Sequence, residues 1–390
     1  MPMIESRDII IFGDDYGKYP STIQHIGNIF SKRNRVFWIG SLGLRKPKLN
    51  VYDLSRIISK GKNVIRGKKL ISKNQYTINE IYPFVIPFHD FSAFRYLNRL
   101  SINVVMKLTA KKLRIRNPII ITSSPLIGNI IGDLGETSSH YFCLDDFTLF
   151  DGAFSSLGKL EQALLSKVDS CFAVSELLLK TRRVNSSHNY LLSQGVDTNH
   201  FSPSVEIHPK MMRFKSFQKP LIGFFGLLTT WVDIDLIIEA SQIYRDYNFV
   251  IIGKSNIDLS KLSNVSNIFY LGEIAYDELP KFANAFDVGI IPFIINDLTK
   301  ACNPLKLLEY LALGIPVISS DIPAARKFED VIFIAEDRQQ FIKLIPLALQ
   351  DATVERNTLR RKIAEKYSWE LIVEDISNKI LTIEKEKMTL

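Results

Sequence analysis

The sequence has 390 residues, which favours two domains, since a domain commonly takes ~100–200 residues. Apolar residues make up 46% of it and charged residues 23%, proportions that exclude a disordered chain, a collagen-like chain and a coiled coil. The net charge is +8, and three scattered cysteines exclude a disulfide framework and a cysteine-rich zinc site, which favours a reducing, cytoplasmic compartment.

The first half of the sequence alternates short apolar runs with helical segments. Runs bounded by polar residues or glycine predict buried parallel strands, at residues 8–13, 35–40, 118–123, 141–144 and 170–174. Apolar residues at helical spacing predict helices, at residues 22–32, 91–113, 157–167 and 176–183. Strands that alternate with helices predict an α/β domain with crossover connections.

The second half restarts the same pattern. Strands are predicted at residues 221–225, 247–252, 268–271, 288–292 and 316–319, and helices at residues 233–244, 304–313 and 339–349. In the polar stretch 197–219 the apolar residues do not recur at helix or strand spacing, which is typical of a linker. We therefore expect the domains to be residues 1–200 and 201–367. Residues 368–390 are expected to form a last helix that packs back toward the first domain.

The N-terminus does not have the pattern of a signal peptide, and no run reaches the ~18 apolar residues that would span a bilayer. The sequence therefore predicts a soluble protein, or one that lies on a membrane surface.

Positive charge is concentrated in residues 1–120, which contain 22 Lys and Arg but seven Asp and Glu. Clusters lie at residues 45–48, 60–73 and 107–116. So basic a face predicts an anionic partner, either nucleic acid or acidic membrane lipid. Segment 91–113 favours lipid, because its cations are interspersed with an apolar helical stripe, formed by Phe94, Leu97, Leu100, Val104 and Leu108. In the alternative interpretation the stripe belongs to the core and the charges are merely solvated.

Polar residues follow two strands of the first half, where ligands of doubly wound sheets bind. The loop after the first strand supplies groups that suit sugar hydroxyls, namely Gly13, Asp14, Asp15, Tyr16, Gly17 and Ser21. The alternative is an ordinary polar loop with Ser21 as helix cap. Asp145 and Asp146 follow a later strand and can serve as a base, an electrostatic stabiliser or a hydroxyl binder; the alternative is an N-cap role.

The segment 303–320 has the strongest signal for a ligand site. A helix is predicted to begin near Pro304, and a helix N-terminus favours a bound phosphate. Lys306 would add a positive charge there, and Glu309, on the same helix face, could accept hydrogen bonds from a ribose diol. The alternative is a surface Lys–Glu pair.

This segment, NPLKLLEYLALGIPVISS, resembles the carboxy-terminal signature of the GT-B glycosyltransferases of the family-4-like group, also called group 1. Residues 193–201 (SQGVDTNHF) are similar to the junction between the two domains of that group. Residues 235–240 resemble the helix after its phosphate loop, and residues 272–280 and 285–292 resemble its base-recognition loop and the next strand. The segments FGDDYGKYPS and YFCLDDF are similar to a polysaccharide-assembly branch.

The resemblance implies a GT-B fold, in which two Rossmann-like doubly wound domains face each other across a cleft. It implies that a nucleotide-sugar donor, a UDP-sugar or a GDP-sugar with the UDP-sugar favoured, binds the second domain. Its diphosphate would meet Gly226, Lys254, Lys306 and the helix start at Asn303, Pro304 and Leu305. Its ribose would bond Glu309, and its base would pack on the loop of Glu273, Ile274 and Tyr276.

The same resemblance implies a transfer that retains anomeric configuration and needs neither metal nor cofactor. The catalytic residues would be Asp145, Asp146 and Lys306, with the acceptor held by the 13–21 loop. The acceptor would be a growing, lipid-linked cell-surface polysaccharide, such as a capsule, a lipopolysaccharide O-antigen or an exopolysaccharide. The basic residues of 1–120 would then hold the protein to the inner face of the membrane, and no nucleic acid would be bound.

Three positions depart from the pattern of this group. Cys302 stands where an acidic residue often lies seven before Glu309, and Leu227 and Val232 replace an Arg and a Lys of the phosphate loop. In addition, many members of this group have a His in a strand-end loop of the first domain, and Asp145 or Asp146 lies near that position in this sequence. These departures keep a second hypothesis open, a catalytically silent subunit that binds a glycan or a partner.

Overall fold

The computed structural model describes residues 3–17, 20–40, 42–43, 69–71, 77–216 and 218–389. The chain forms two compact units. The first contains Met1–Ser193 together with Trp369–Leu390, and the second is Gln194–Ser368. The chain thus passes between the units after Ser193 and after Ser368, whereas the sequence analysis placed the boundaries after residues 200 and 367.

The first unit is built on a sheet of eight strands in the order β3-β4-β2-β1-β5-β6-β7-β8, in which β3 is antiparallel to β4 and the other pairs are parallel. The strands are β1 (Asp8–Phe12), β2 (Arg35–Ile39), β3 (Lys69–Ile71), β4 (Thr77–Ile81), β5 (Ile119–Thr122), β6 (Ser138–Cys143), β7 (Ser170–Ala173) and β8 (Asn189–Leu191). Its first four helices are α1 (Thr22–Ser31), α2 (Ser92–Leu113), α3 (Leu157–Leu165) and α4 (Glu176–Thr181). Every residue of β1 and β5 is buried, as expected of central parallel strands.

The second unit has an all-parallel sheet of six strands in the order β11-β10-β9-β12-β13-β14. The strands are β9 (Leu221–Phe225), β10 (Asn248–Ile252), β11 (Ile268–Tyr270), β12 (Val288–Ile291), β13 (Val317–Ser320) and β14 (Phe333–Ala335). The helices are α5 (Pro209–Ser216), α6 (Ile234–Ile243), α7 (Leu279–Ala283), α8 (Asp297–Ala301), α9 (Leu305–Leu313), α10 (Pro323–Arg326), α11 (Arg338–Gln350) and α12 (Val354–Glu365).

The last helix, α13 (Trp369–Thr389), belongs to the first unit. The rings of His25 in α1 and Trp369 stack with their centroids 4.8 Å apart. At its far end, the Glu384 carboxylate accepts two hydrogen bonds of 3.0 Å from the Arg7 guanidinium.

The strand orders locate where a ligand would bind in each unit. Both sheets contain the succession that defines a doubly wound, Rossmann-like fold, in which the strand order reverses beside the first strand. The reversal lies between β1 and β5 in the first unit and between β9 and β12 in the second. Since ligands bind outside the carboxyl ends of the strands at this point, the loops after β1 and β9 are the first places to examine.

The α/β class with two Rossmann-like sheets, predicted from the sequence, is confirmed. Each predicted strand is present. The prediction missed the short edge strands β3, β8 and β14 and the strand β4 beside β3. It also missed helices α5, α7, α8, α10 and α12. Short edge strands have weak periodic patterns, because few of their residues face the core.

No helix in the described part of the chain is long and apolar enough to cross a membrane. The predicted basic clusters at 45–48 and 60–68, and Lys73, lie outside the described residues.

Candidate functional site

The carboxyl ends of three neighbouring strands in the second unit are tied together through glycines. The Gly226 amide after β9 donates to the Ile252 carbonyl of β10 (2.9 Å), and the Gly253 amide after β10 donates to the Gly272 carbonyl after β11 (2.7 Å). Gly226 and Gly253 have φ of 134° and 141°, in the region that favours glycine. A Cβ on Gly253 would lie 1.9 Å from the Gly226 carbonyl oxygen, so these strand ends require glycine.

This geometry corrects one expectation. The Gly226 amide was expected to face a diphosphate, but it is already used within the sheet. What Gly226 provides instead is space, because a Cβ there would lie 2.8 Å from Cε and 2.9 Å from Nζ of Lys306. The Lys306 ammonium therefore lies directly against the backbone at the carboxyl end of β9.

Helix α9 positions Lys306 through its buried face. Pro304 is the N-cap, and Gly314 ends the helix in the left-handed conformation (φ 79°), a common C-terminal stop. The Tyr310 hydroxyl accepts a hydrogen bond from the Phe225 amide (3.2 Å) and lies 3.3 Å from the Gly223 carbonyl, so it fastens the helix to β9. The Tyr310 ring fits against Gly289 of β12, where a Cβ would lie 2.8 Å from it.

The Lys306 ammonium has no ion pair or hydrogen bond within the described residues. Its Nζ lies 4.8 Å from the ring centroids of both Phe224 and Phe293, which stabilise a cation through their π faces. Burial nevertheless lowers the pKa of Lys306 from 10.5 to about 8, although Cys302 and Glu309 oppose this effect. A desolvated cation without an anionic partner is an expensive arrangement that a bound anion would relieve.

Glu309 lies one turn after Lys306 and is 8% exposed. Burial raises the pKa of its carboxyl from 4.5 to about 7, with Lys306 opposing. No hydrogen bond within the described residues satisfies this carboxylate, which can therefore accept hydrogen bonds from a ligand's hydroxyls.

The remaining predicted residues of the second unit lie at the same edge of its sheet. Lys254 and Glu273 are exposed and come directly after Gly253 and Gly272. Ile274 and Tyr276 pack, partly buried, on the core of the unit. Burial raises the pKa of the Tyr276 phenol well above its usual value, and the charges of Glu309 and Asp197 contribute.

Two residues that the sequence analysis did not select hold this site. The Gln194 side chain donates to the Asn303 carbonyl (3.2 Å) just before α9. The His200 ring contacts the Tyr276 carbonyl through Nε2 (3.0 Å) and packs on its ring at a centroid distance of 4.5 Å. Both lie in the segment SQGVDTNHF, so the similarity of that segment to a family junction was the available signal.

In the first unit, the loop after β1 is folded onto α1 and β2. Gln24 donates to the Asp14 carboxylate (2.8 Å) and accepts from the Gly17 amide (3.0 Å), and Trp38 donates to the Asp14 carbonyl (2.9 Å). Burial raises the pKa of Asp14, while the hydrogen bond from Gln24 opposes the rise.

The other residues of this loop are also positioned by their neighbours. The Tyr16 hydroxyl donates to the Asn28 side chain (2.5 Å). A Cβ on Gly13 would lie 2.5 Å from the Trp38 ring, and Asp15 lies beside Gly40 at the end of β2. Ser21 is the N-cap of α1 but makes no capping hydrogen bond through its side chain. The loop thus presents a defined, partly buried set of polar groups.

The neighbouring residues Asp145 and Asp146 have different surroundings. Asp146 is occupied, because it pairs with the Arg182 guanidinium (2.7 Å) and caps the short turn Phe147–Leu149 by accepting from Thr148. Asp145 makes no hydrogen bond through its carboxylate within the described residues. Burial and the charge of Asp146 raise the pKa of Asp145 from 3.8 to about 7. Asp145 is therefore the member of the pair that is able to exchange a proton near neutral pH.

Arg182, which the sequence analysis did not select, holds this segment in place. It also contacts the buried Glu161 (3.2 Å), which accepts a hydrogen bond from the Tyr141 hydroxyl (2.6 Å). The sequence pattern selected Asp146 but not Arg182 and Glu161, because these come from two other segments of the chain.

Across the described ranges there is no group of three or more His, Cys, Asp and Glu side chains that could hold a metal ion.

Residues 219–351 match the sequence model of a family described as glycosyl transferases group 1. This range lies within the second unit and contains Gly226, Lys254, Glu273, Lys306 and Glu309. A curated relative, TuaH of Bacillus subtilis, is named as a glycosyltransferase of teichuronic acid biosynthesis and is 24% identical over 229 residues. That match covers 55% of this chain and 57% of the relative, so the chain matches little more than half the length of this relative.

Solved structures resemble the chain over nearly its whole length at 14% identity. Sucrose-phosphate synthase of Thermosynechococcus elongatus has a TM-score of 0.70 and covers 97% of this chain and 99% of its own. HepE of Anabaena, in complex with UDP and glucose, has a TM-score of 0.65 with coverages of 95% and 98%. An E. coli trehalose-6-phosphate protein bound with UDP-2-fluoro glucose has a TM-score of 0.65 with coverages of 97% and 99%.

Proposed function

Since this chain has the GT-B fold and carries a domain of the group 1 glycosyltransferases in its second unit, we propose that it is a glycosyltransferase that moves a sugar from a nucleotide-sugar donor to a growing polysaccharide. The observation that carries the proposal is the partly buried Lys306 ammonium, which forms no ion pair within the described residues and lies where the strand order reverses. Such a position suits the diphosphate of a donor.

The leaving diphosphate would be stabilised by fixed positive charge. Lys306 supplies a full charge. The amides of Leu305 and Lys306, at the start of α9, precede the first intrahelical hydrogen bond and add the helix dipole. Lys254 lies exposed after the neighbouring strand. Preorganised charge of this kind lowers the barrier for departure of an anionic leaving group.

The nucleoside would be read beside the diphosphate. Glu309 can accept hydrogen bonds from the ribose diol, and the loop of Glu273, Ile274 and Tyr276 would pack against the base. UDP is the favoured nucleotide, and support comes from HepE, whose structures are titled as complexes with UDP and with UDP-glucose.

The acceptor would bind the first unit, along Gly13–Gly17, Ser21 and Asp145. The raised pKa of Asp145 suits a group that takes a proton from an acceptor hydroxyl, while Asp146 and Arg182 position it. By the family resemblance, the transfer retains anomeric configuration. TuaH, named for teichuronic acid biosynthesis, supports an acceptor of the cell-surface polysaccharide class, which includes capsule, O-antigen and exopolysaccharide.

We place this reaction in the cytoplasm at the inner face of the membrane, where a lipid-linked glycan would be presented. The support is the surplus of positive charge in residues 1–120, which favours an anionic lipid surface.

A silent binding subunit is the second candidate, because uncharged side chains stand where the phosphate loop of this group has an Arg and a Lys. They are Leu227, which is 42% exposed, and Val232, which is 3% exposed. Lys306 is then the residue on which turnover depends.

The proposal is tested by calorimetric titration of UDP and GDP into the wild type and Glu309→Gln, followed by mass spectrometry of a donor panel incubated with membrane lipid extract. We expect UDP to bind the wild type, and Glu309→Gln to bind it about tenfold more weakly. A mass increase of one sugar on a lipid-linked glycan would support transfer. UDP binding without any product would favour the silent subunit, and no binding of either nucleotide would overturn the site.

A further inference from the structure

Helix α2 of the first unit has two apolar faces. Its inner face packs on the unit through Asn98, Ile102 and Met106, the buried residues of the helix. The apolar stripe noted in the sequence is different: Leu97, Leu100, Val104 and Leu108 are 48%, 44%, 56% and 65% exposed. The interpretation of this stripe as core is therefore wrong for these four residues.

The exposed stripe continues beyond these residues. Tyr96 on the helix is 60% exposed, and the segment before the helix adds Phe84 (44%) and Phe91 (61%). We call Phe91, Tyr96, Leu97, Leu100, Val104 and Leu108 the outer face of α2. Contiguous exposed apolar surface of this kind marks an interaction site on a protein.

The charge around the outer face is of one sign. Residues 91–117 contain seven Lys and Arg and no Asp or Glu. Lys107 and Lys111 lie among the apolar residues of the outer face, and Lys112, Arg114 and Arg116 follow at its C-terminal end, all exposed. None of these five cations forms an ion pair within the described residues, whereas Arg99, nearer the start of the helix, pairs with Asp133.

An apolar stripe bordered by unpaired cations fits one kind of partner. In an anionic bilayer the apolar side chains enter the boundary between headgroups and acyl chains, while lysines extend along it to reach the phosphates. Aromatic side chains such as Phe91 and Tyr96 are favoured at the same depth. A second copy of this chain would instead bring like charges together.

We propose that the outer face of α2 is the surface with which this protein docks on anionic membrane lipid. The proposal rests on the proposed function only for its expectation of a membrane-borne acceptor. The helix lies along the surface and does not cross it, so the contact is reversible and depends on lipid charge and on ionic strength.

The test is co-sedimentation of the full chain with vesicles of phosphatidylglycerol and phosphatidylcholine in equal amounts, compared with vesicles of phosphatidylcholine alone. We expect binding to the anionic vesicles that added salt weakens. Leu100→Glu combined with Val104→Glu is expected to lower the affinity about tenfold or more. Lys107→Glu combined with Lys111→Glu should also lower it, by loss of charge attraction.

Matched controls use exposed residues of the second unit. Val354→Glu with Leu359→Glu replaces two exposed apolar residues of α12, and Lys343→Glu with Lys362→Glu changes the charge by the same amount. Both controls are expected to bind vesicles as the wild type does. UDP titration of every variant checks folding of the second unit, and circular dichroism checks the whole chain.

The proposal is overturned if the wild type ignores anionic vesicles, or if Leu100→Glu with Val104→Glu binds them unchanged. It is also overturned if ultracentrifugation shows a dimer that this variant dissociates while vesicle binding is absent, since a second copy would then be the occupant. Vesicle binding is measured without donor or acceptor. It can therefore fail while UDP still binds, and UDP binding can fail while the vesicles are still bound. The two proposals therefore fail separately.

Discussion

Lys306 illustrates how a single side chain distinguishes a ligand site from a structural helix. A surface lysine near a glutamate would keep its ordinary pKa and contribute little to stability. Lys306 instead lies against Gly226 and two phenylalanine rings, and burial lowers its pKa from 10.5 to about 8. The folded protein thus holds this charge at a cost in stability, which is typical of binding and catalytic groups.

Replacing this lysine should therefore improve stability while it removes binding. We expect Lys306→Met to raise the free energy of unfolding at neutral pH by about 1–3 kcal/mol, because the unfavourable burial of a charge is lost. The same variant should bind UDP at least about tenfold more weakly. Urea denaturation and calorimetry measure the two effects, with Lys343→Met on α11 as the control. A variant that is destabilised and binds UDP normally would make Lys306 a structural residue.

The pKa of Lys306 also predicts how donor binding depends on pH. A bound diphosphate stabilises the protonated ammonium and raises its pKa above the free value of about 8. Affinity is then fully present below pH 8 and falls as the pH rises through the range between the free and bound pKa values. Calorimetric titration of UDP-glucose on both sides of pH 8 checks this. Above pH 8, where the Glu309 carboxyl with its pKa of about 7 is mostly ionised, Lys306→Met should show a flat profile. A wild-type profile that is equally flat in that range would contradict the prediction.

At the scale of elements, the site is made by the ends of strands and the start of one helix. Glycines at the ends of β9, β10 and β11 let these strand ends approach one another, and Tyr310 ties α9 to β9. Asp145 depends on its surroundings in the same way, since Arg182 holds the neighbouring Asp146. Each functional side chain is thus positioned by an element other than its own.

Two glycines separate the effect of backbone strain from the effect of crowding. Gly226→Ala should lose UDP binding, because its Cβ would displace the Lys306 ammonium in addition to straining the backbone. Gly272→Ala has a positive φ of 72° but no atom within 4 Å of its Cβ, so we expect only strain of about 1 kcal/mol. Thermal unfolding and UDP titration of both variants check this. Equal affinities for UDP in the two variants would show that the contact with Lys306 does not matter.

At the scale of the molecule, the chain returns from the second unit to complete the first. The Glu384 carboxylate of α13 accepts hydrogen bonds from Arg7, Thr137 and Ser138, which joins the last helix to residues more than 240 positions earlier in the chain. Burial alone would raise the pKa of Glu384, but these hydrogen bonds outweigh it and lower the pKa below 4.5.

This anchor should contribute to stability in a pH-dependent way. The pKa of Glu384 is lower in the folded state than its unfolded value of 4.5, so the ionised carboxylate stabilises the fold at pH values above 4.5. This contribution is lost as the pH falls through the pKa of Glu384 in the folded state. We expect Glu384→Gln to lower the free energy of unfolding by about 1–3 kcal/mol at neutral pH, and by less in acid. Asp375→Asn, which breaks an exposed pair with Lys379 on the same helix, should change it little. Urea denaturation at neutral and at acidic pH measures the difference between the two proteins. A difference that does not shrink in acid would contradict this prediction.

The sequence by itself determined the two α/β units and the placing of Lys306 and Glu309 on one helix face. Alternating apolar runs and a spacing of three residues are local patterns, and local patterns survive in any compact arrangement of the chain. Only the tertiary structure showed that Lys306 is partly buried with no ion pair among the described residues. It also showed that Arg182 pairs with Asp146, whereas the Asp145 carboxylate has no hydrogen bond within that part of the chain, and that the outer face of α2 is exposed. These properties depend on contacts between distant segments, and the helical period of α2 could not tell its two apolar faces apart, because periodicity records which residues share a face and not what covers that face.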